Sequence, residues 1–147
     1  MGNPGPGGYG VILVYEKNRK ELSGGYRLTT NNRMELMAAI QGLAALKDPC
    51  QVQLYSDSKY LIDAMEKGWA HRWKANNWYR TKKEKAANQD LWQEIINLCQ
   101  KHTVSFEWIR GHNGHPENEQ CDKLASAAAQ LPELPSDEGY EKFSVDS

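Results

Sequence analysis

The stretch CQVQLYSDSKYLIDAMEKG, residues 50–68, predicts a strand that runs directly into a helix. Apolar and polar residues alternate in its first half, which is the period of a half-buried strand. Ser58 is a favourable helix N-cap, and Gly68 is typical of a helix end. Asp57 therefore lies where the carboxyl end of a strand meets a helix, the place where open α/β sheets bind ligands.

The segments on both sides extend this pattern into an α/β fold. Two paired strands are predicted upstream, around residues 9–16 and 20–29, with a turn over 16–20, and a third single strand is predicted downstream at 103–111. Helices are predicted at 33–46, with Asn31 or Asn32 as the cap, at 89–102 with Asn88 as the cap, and at 117–130. Strands that first pair and then alternate with helices predict a mixed sheet covered by helices.

Length and composition limit the class of protein. A chain of 147 residues with 39% apolar residues predicts one soluble domain, and no stretch reaches the roughly 18 consecutive apolar residues of a membrane span. Three cysteines far apart in the chain predict reduced thiols, and the N-terminus lacks a secretory pattern, so we expect a cytoplasmic protein. We expect the domain to cover residues 1–131, followed by an acidic, proline-rich and mobile tail at 132–147.

Three acidic residues are candidates for catalysis. Glu35 lies near the start of a predicted helix, Asp57 at the end of a strand, and Asp122 on the last predicted helix. Each alone has an ordinary explanation, as a helix-capping residue, a helix initiator or a solvated side chain. If the three converge, their mutual repulsion favours a divalent cation between them, because Mg²⁺ prefers carboxylates and water.

Two further segments have polar chemistry. His112 lies in a loop between Gly111 and Gly114, where an imidazole can transfer protons or simply be exposed. Residues 67–85 contain seven basic residues and one acidic residue among several tryptophans, a pattern suited to a phosphate backbone. Trp69 and Trp73, four residues apart, share a helix face and are also expected to pack inward.

Taken together, several motifs resemble the type 1 ribonuclease H family in its bacterial form. They are GNPGPGGYG at 2–10, TTNNRMELMAAI at 29–40, YSDSKY at 55–60, W-x-H-x-W at 69–73, DLW at 90–92 and GHNGHPENEQCDKLA at 111–125. They follow one another over essentially the whole chain.

The resemblance implies a five-stranded mixed sheet with helices on both faces, and a monomer that hydrolyses the RNA strand of RNA–DNA hybrids with Mg²⁺ or Mn²⁺. It implies that Glu35, Asp57 and Asp122 hold metal and that His112 assists catalysis. The residues it matches to contacts with the hybrid are Asn3, Asn31, Asn32, Trp69, Trp73 and Lys74. The reaction implied is attack of an activated water on phosphorus that leaves a 3′-hydroxyl. The alternative function is a hybrid-binding module without catalysis.

The sequence departs from the family pattern at its start. The family has a central strand ending in an aspartate shortly before GNPG, whereas Met1 directly precedes Gly2 here. This strand and its aspartate are missing here. We therefore expect the two strands that flank it in the family to have unpaired edges, and the metal site to lack one of four carboxylates. Three explanations stay open: a fragment, which we favour; a homologue that binds without cutting; or a strand supplied by EKFSVDS, with Asp146 in the site. Lys59 also replaces a common glutamine, and Ala75, Asn76 and Tyr79 replace residues that are usually basic.

Overall fold

The computed structural model describes residues 3–110 and 115–146, with side chains up to residue 142. The elements of these residues, in chain order, are β1 (Gly5–Tyr15), β2 (Asn18–Thr29), α1 (Asn31–Ala44), β3 (Gln51–Ser56), α2 (Lys59–Glu66), α3 (Trp69–Ala75), α4 (Gln89–Lys101), β4 (Thr103–Trp108), α5 (Pro116–Ala129) and α6 (Glu138–Asp146). Among them, no helix is both long and apolar enough to cross a membrane.

The strands combine antiparallel and parallel pairing, as predicted. β1 and β2 form an antiparallel hairpin, and β3 and β4 run parallel with Gln51 opposite Thr103. Within residues 3–110 and 115–146 these are two separate two-stranded sheets, so each strand has one strand partner. The sheet is therefore divided, and the unpaired strand edges expected from the sequence are present.

Helix caps determine how the helices next to the candidate site begin. Thr30, not Asn31 or Asn32, caps α1: its backbone is extended and its hydroxyl accepts a hydrogen bond from the Arg33 N–H over 3.2 Å. Ser58 caps α2 as predicted and accepts from the Leu61 N–H. Both caps satisfy N–H groups that would otherwise lack a partner at a helix start.

The core lies mainly between α1, α2 and α4. Leu36 of α1, Leu61 and Ile62 of α2, and Trp92 and Ile95 of α4 have at most 1% of their surface exposed. Burial of this apolar surface is the main force that holds the three helices together. It fixes the helix that carries Glu35 and the helix that follows Asp57.

Part of the segment expected to be a mobile tail is docked on the domain. The Arg27 N–H of β2 donates to the Pro135 carbonyl over 2.9 Å, and Asp137 is buried. The proposed supply of a strand by the C-terminus is wrong, because Glu138–Asp146 form α6. The domain boundary after residue 131 stays a prediction.

Candidate active site

The three candidate acids lie on three different elements that meet at one site. Glu35 is in the second turn of α1, Asp57 directly follows β3, and Asp122 is on α5. Burial raises the pKa of Glu35, and the charges of Asp57 and Asp122 raise it further. A hydrogen bond with Ser58 lowers the Glu35 pKa but does not outweigh these effects. The fold thus brings Glu35 close to two aspartates that are 22 and 87 positions away from it in the sequence.

Two residues missed by the sequence analysis hold Asp57. The side-chain amide of Asn118, on α5, donates to Asp57 Oδ2 over 3.3 Å. The indole N–H of Trp108, at the end of β4, donates to the Asp57 backbone carbonyl over 3.2 Å. The spacing of Asn118 and Asp122, one helical turn apart, was the available signal, because residues four apart share a helix face.

A lysine also lies beside Asp57. The Nζ of Lys59 is 5.0 Å from the centre of the Trp108 ring, a cation–π distance. Lys59 is the first residue of α2 and is exposed. The departure from the family glutamine therefore places a positive charge two residues after Asp57, over the Trp108 ring.

The donor atoms of this site suit Mg²⁺ or Mn²⁺. Carboxylate oxygens are the ligands that these hard cations prefer. In the part of the chain that the structure describes, no three Asp, Glu, His or Cys side chains are close enough to surround one ion. Mg²⁺ typically uses one or two carboxylates and keeps several waters, so this arrangement fits it without a complete protein cage. His112 lies outside the described residues.

The short polar candidates lie at the start of α1. The Asn31 N–H donates to Asn3 Oδ1 over 3.0 Å, which joins two of the predicted hybrid contacts. Asn3, Asn31 and Asn32 are all exposed. Glu35 is one turn beyond Asn31 on the same helix, so these two residues share a helix face.

The basic and aromatic segment divides into a packed part and an exposed part. Trp69 and Trp73 of α3 are half-buried against the core, and the Trp73 ring meets Trp92 edge-on with centroids 5.9 Å apart. Lys74 on the same helix is exposed. The expectation of inward packing is confirmed for both tryptophans, and Lys74 remains accessible to a ligand.

Comparison with known proteins decides the family. The family model for RNase H matches residues 1–130, which includes the three acids and the basic segment. This chain belongs to the ribonuclease H family. The predictions of a ribonuclease H-like α/β fold and of a ribonuclease are thereby confirmed.

The relatives are similar over most of their length. A ribonuclease H of Trichodesmium erythraeum is 64% identical over 95% of this chain and 89% of its own. A ribonuclease HI of Synechocystis is 56% identical over 96% of this chain and 89% of its own.

Solved structures share the fold. The crystal structure of LC9-RNase H1, a type 1 enzyme with the type 2 active-site motif, superposes with a TM-score of 0.69 at 27% identity, over 98% of this chain and 82% of that one. LC11-RNase H1, solved with an RNA/DNA hybrid, superposes with a TM-score of 0.63 at 24% identity, over 88% and 89% of the two chains.

Proposed function

We propose that this chain hydrolyses the RNA strand of RNA–DNA hybrids and that it requires Mg²⁺ or Mn²⁺. The observation that carries the proposal is the electrostatic interaction of Glu35 with Asp57 and Asp122. Carboxylates brought together in this way repel one another, and a divalent cation relieves that repulsion and attracts the anionic phosphodiester. Membership of the ribonuclease H family adds support for the substrate.

Glu35, Asp57 and Asp122 are the proposed metal-binding residues, and each ion would be held by one or two of these carboxylates together with water. When bound, the cation supplies positive charge that attracts the phosphodiester and activates the attacking water. Ser58 keeps the Glu35 carboxylate oriented through its hydrogen bond. Water attacks phosphorus and the bond to O3′ breaks, so the products have a 3′-hydroxyl and a 5′-phosphate.

The hybrid contacts are proposed for two surfaces. Asn3, Asn31 and Asn32 supply exposed amides that can bind sugar hydroxyl and minor-groove atoms, where the 2′-hydroxyl distinguishes RNA from DNA. Lys74, with Trp69 and Trp73 beside it, lies within the basic segment at 67–85 that is proposed to hold the DNA backbone. His112 is proposed to transfer a proton to or from the reacting groups.

Binding without cleavage is the competing function, and two variants separate it from catalysis. We expect Glu35→Gln and Asp57→Asn to bind a labelled hybrid with affinity similar to that of the original chain, measured by fluorescence anisotropy in EDTA, and to lose cleavage. If the original chain binds the hybrid but does not cut it with Mg²⁺ or Mn²⁺, it is a hybrid-binding module.

Cellular location and assembly are further parts of the proposal. Cys50, Cys99 and Cys121 are free thiols, which supports a reducing compartment such as the cytoplasm. We propose that the protein acts as a monomer, which light scattering at micromolar concentration tests directly.

A further inference from the structure

We propose that Asn118 is a positioning residue that holds the Asp57 carboxylate in its metal-binding orientation. This inference rests on the proposed function, because it assigns Asp57 a metal to bind. The contact that carries it is the hydrogen bond from the Asn118 side-chain amide to Asp57 Oδ2, 3.3 Å long.

The local structure of α5 fixes Asn118. His115 caps this helix, and its Nδ1 accepts the Asn118 backbone N–H over 3.3 Å. Pro116 occupies the first helical position, where its fixed backbone angle suits a helix start. The Asn118 side chain is half-buried and thus projects from an ordered turn rather than from a free loop.

The same helix aligns two of the candidate metal-binding residues. Asp122 follows Asn118 by one turn, so α5 contributes Asp122 itself and, through Asn118, the orientation of Asp57. Asp57 is on the segment between β3 and α2, and its backbone carbonyl is held separately by Trp108. The side chain of Asp57 is thereby tied to α5, while its backbone is tied to β4.

A neutral amide is well suited to this position. It donates to one oxygen of the carboxylate without adding a positive charge that would compete with a cation for Asp57. Groups that hydrogen-bond to metal ligands in this way typically change metal affinity or activity by about 10- to 100-fold when they are removed.

The test is isothermal titration calorimetry of the intact protein with Mn²⁺ alone, with no nucleic acid present. We expect Asn118→Ala to weaken Mn²⁺ binding by about 10-fold or more. Asn118→Gln, which retains the amide donor on a longer side chain, is expected to recover part of the affinity. Asn118→Ser, too short to reach Asp57, gives a second test if the alanine variant does not fold.

Asn97→Ala is the matched control. It removes an asparagine from α4 whose side-chain oxygen accepts from Gln93 over 2.9 Å, and we expect Mn²⁺ affinity within twofold of the original chain. A purely structural role for Asn118 would lower the melting temperature and leave the Mn²⁺ dissociation constant unchanged, which would overturn the proposal.

Hybrid cleavage separates this inference from the proposed function. We expect Asn118→Ala to raise the Mg²⁺ concentration needed for half-maximal cleavage while the KM for the hybrid stays within twofold. If the original chain cleaves hybrids but the folded alanine variant binds Mn²⁺ equally well, the role of Asn118 is refuted and the function stands. If the original chain binds no Mn²⁺, the metal-binding role of Asp57 is refuted and the inference fails with it.

Discussion

Arg33 of α1 binds Asp137 of the C-terminal segment through two hydrogen bonds, Nε to Oδ2 at 2.8 Å and Nη2 to Oδ1 at 3.0 Å. Both side chains are at least 96% buried. Asp90 of α4 binds the same guanidinium through Nη1 and Nη2. A single buried arginine thus joins the helix that carries Glu35 to α4 and to the C-terminal segment.

Asp137→Asn should destabilise the fold. Removal of one partner from a buried ion pair lowers stability by about 3–5 kcal/mol. Because Asp90 remains bound to Arg33, we expect a loss of stability near the lower limit of this range. Urea unfolding at pH 7 measures it. Arg27→Gln is the control: it breaks the exposed pair with Glu141, and we expect a much smaller loss of stability than for Asp137→Asn. Equal effects of the two substitutions would contradict the account.

The Arg33–Asp137 pair also makes stability depend on pH. Burial alone would raise the Asp137 pKa, but hydrogen bonds from Arg33 and Thr29 outweigh burial and lower it. A lowered pKa in the folded state stabilises the protein above the unfolded value of about 3.9. The stability difference between the original chain and Asp137→Asn should therefore shrink as the pH falls below about 4. A difference that does not change between pH 6 and pH 2.5 would contradict this.

Glu35→Gln should abolish cleavage and slightly stabilise the protein without metal. Burial and the two neighbouring carboxylates raise the Glu35 pKa, so its charged form is unfavourable in the folded state. We expect the free energy of unfolding in EDTA at pH 7 to rise slightly. A variant that is less stable than the original chain in EDTA would show that the Glu35 charge is compensated.

Trp73 should contribute more to packing than a surface residue does. Its ring contacts Trp92 in the core, so Trp73→Ala should lower stability by about 2 kcal/mol, less than for a fully buried tryptophan. Trp73→Phe should recover more than half of that loss. Thermal unfolding measures both, and an alanine variant as stable as the original chain would refute the packing role.

The exposed lysines of the basic segment should determine the salt dependence of hybrid binding. Lys82 and Lys83 are exposed. For each phosphate contact that is lost with a lysine, the magnitude of the slope of log affinity against log salt concentration should fall by about 0.7–0.9. We expect the Lys82→Gln, Lys83→Gln double variant to bind with a shallower slope. Lys20→Gln on β2 is the control. An equal slope for all three proteins would show that Lys82 and Lys83 do not contact the phosphate backbone of the hybrid.

Local features were predictable from the sequence, whereas long-range contacts were not. The Ser58 cap and the strand before it follow from residues within one or two turns of each other. The cap of α1 was misplaced by one or two residues, because Thr30, Asn31 and Asn32 are all good caps and the backbone geometry alone decides between them. The composition of the tail predicted mobility. No neighbouring residue indicates that Arg33, 104 positions away, binds Asp137.

The candidate site shows the same division. Residue type and resemblance pointed to Glu35, Asp57 and Asp122, but their convergence depends on the packing of α1 and α5 on β1 and of α2 against α1. Asn118 went unnoticed because an asparagine in the first turn of a helix is commonplace. Its contact with Asp57 crosses 61 positions of sequence.

The most direct test is cleavage of an RNA–DNA hybrid, end-labelled on the RNA strand, with Mg²⁺ or Mn²⁺, next to Asp57→Asn under the same conditions. We predict metal-dependent cutting of the RNA strand, with products that end in 3′-hydroxyl groups, and loss of this cutting in the variant. Absence of cutting by protein that circular dichroism shows to be folded would contradict it.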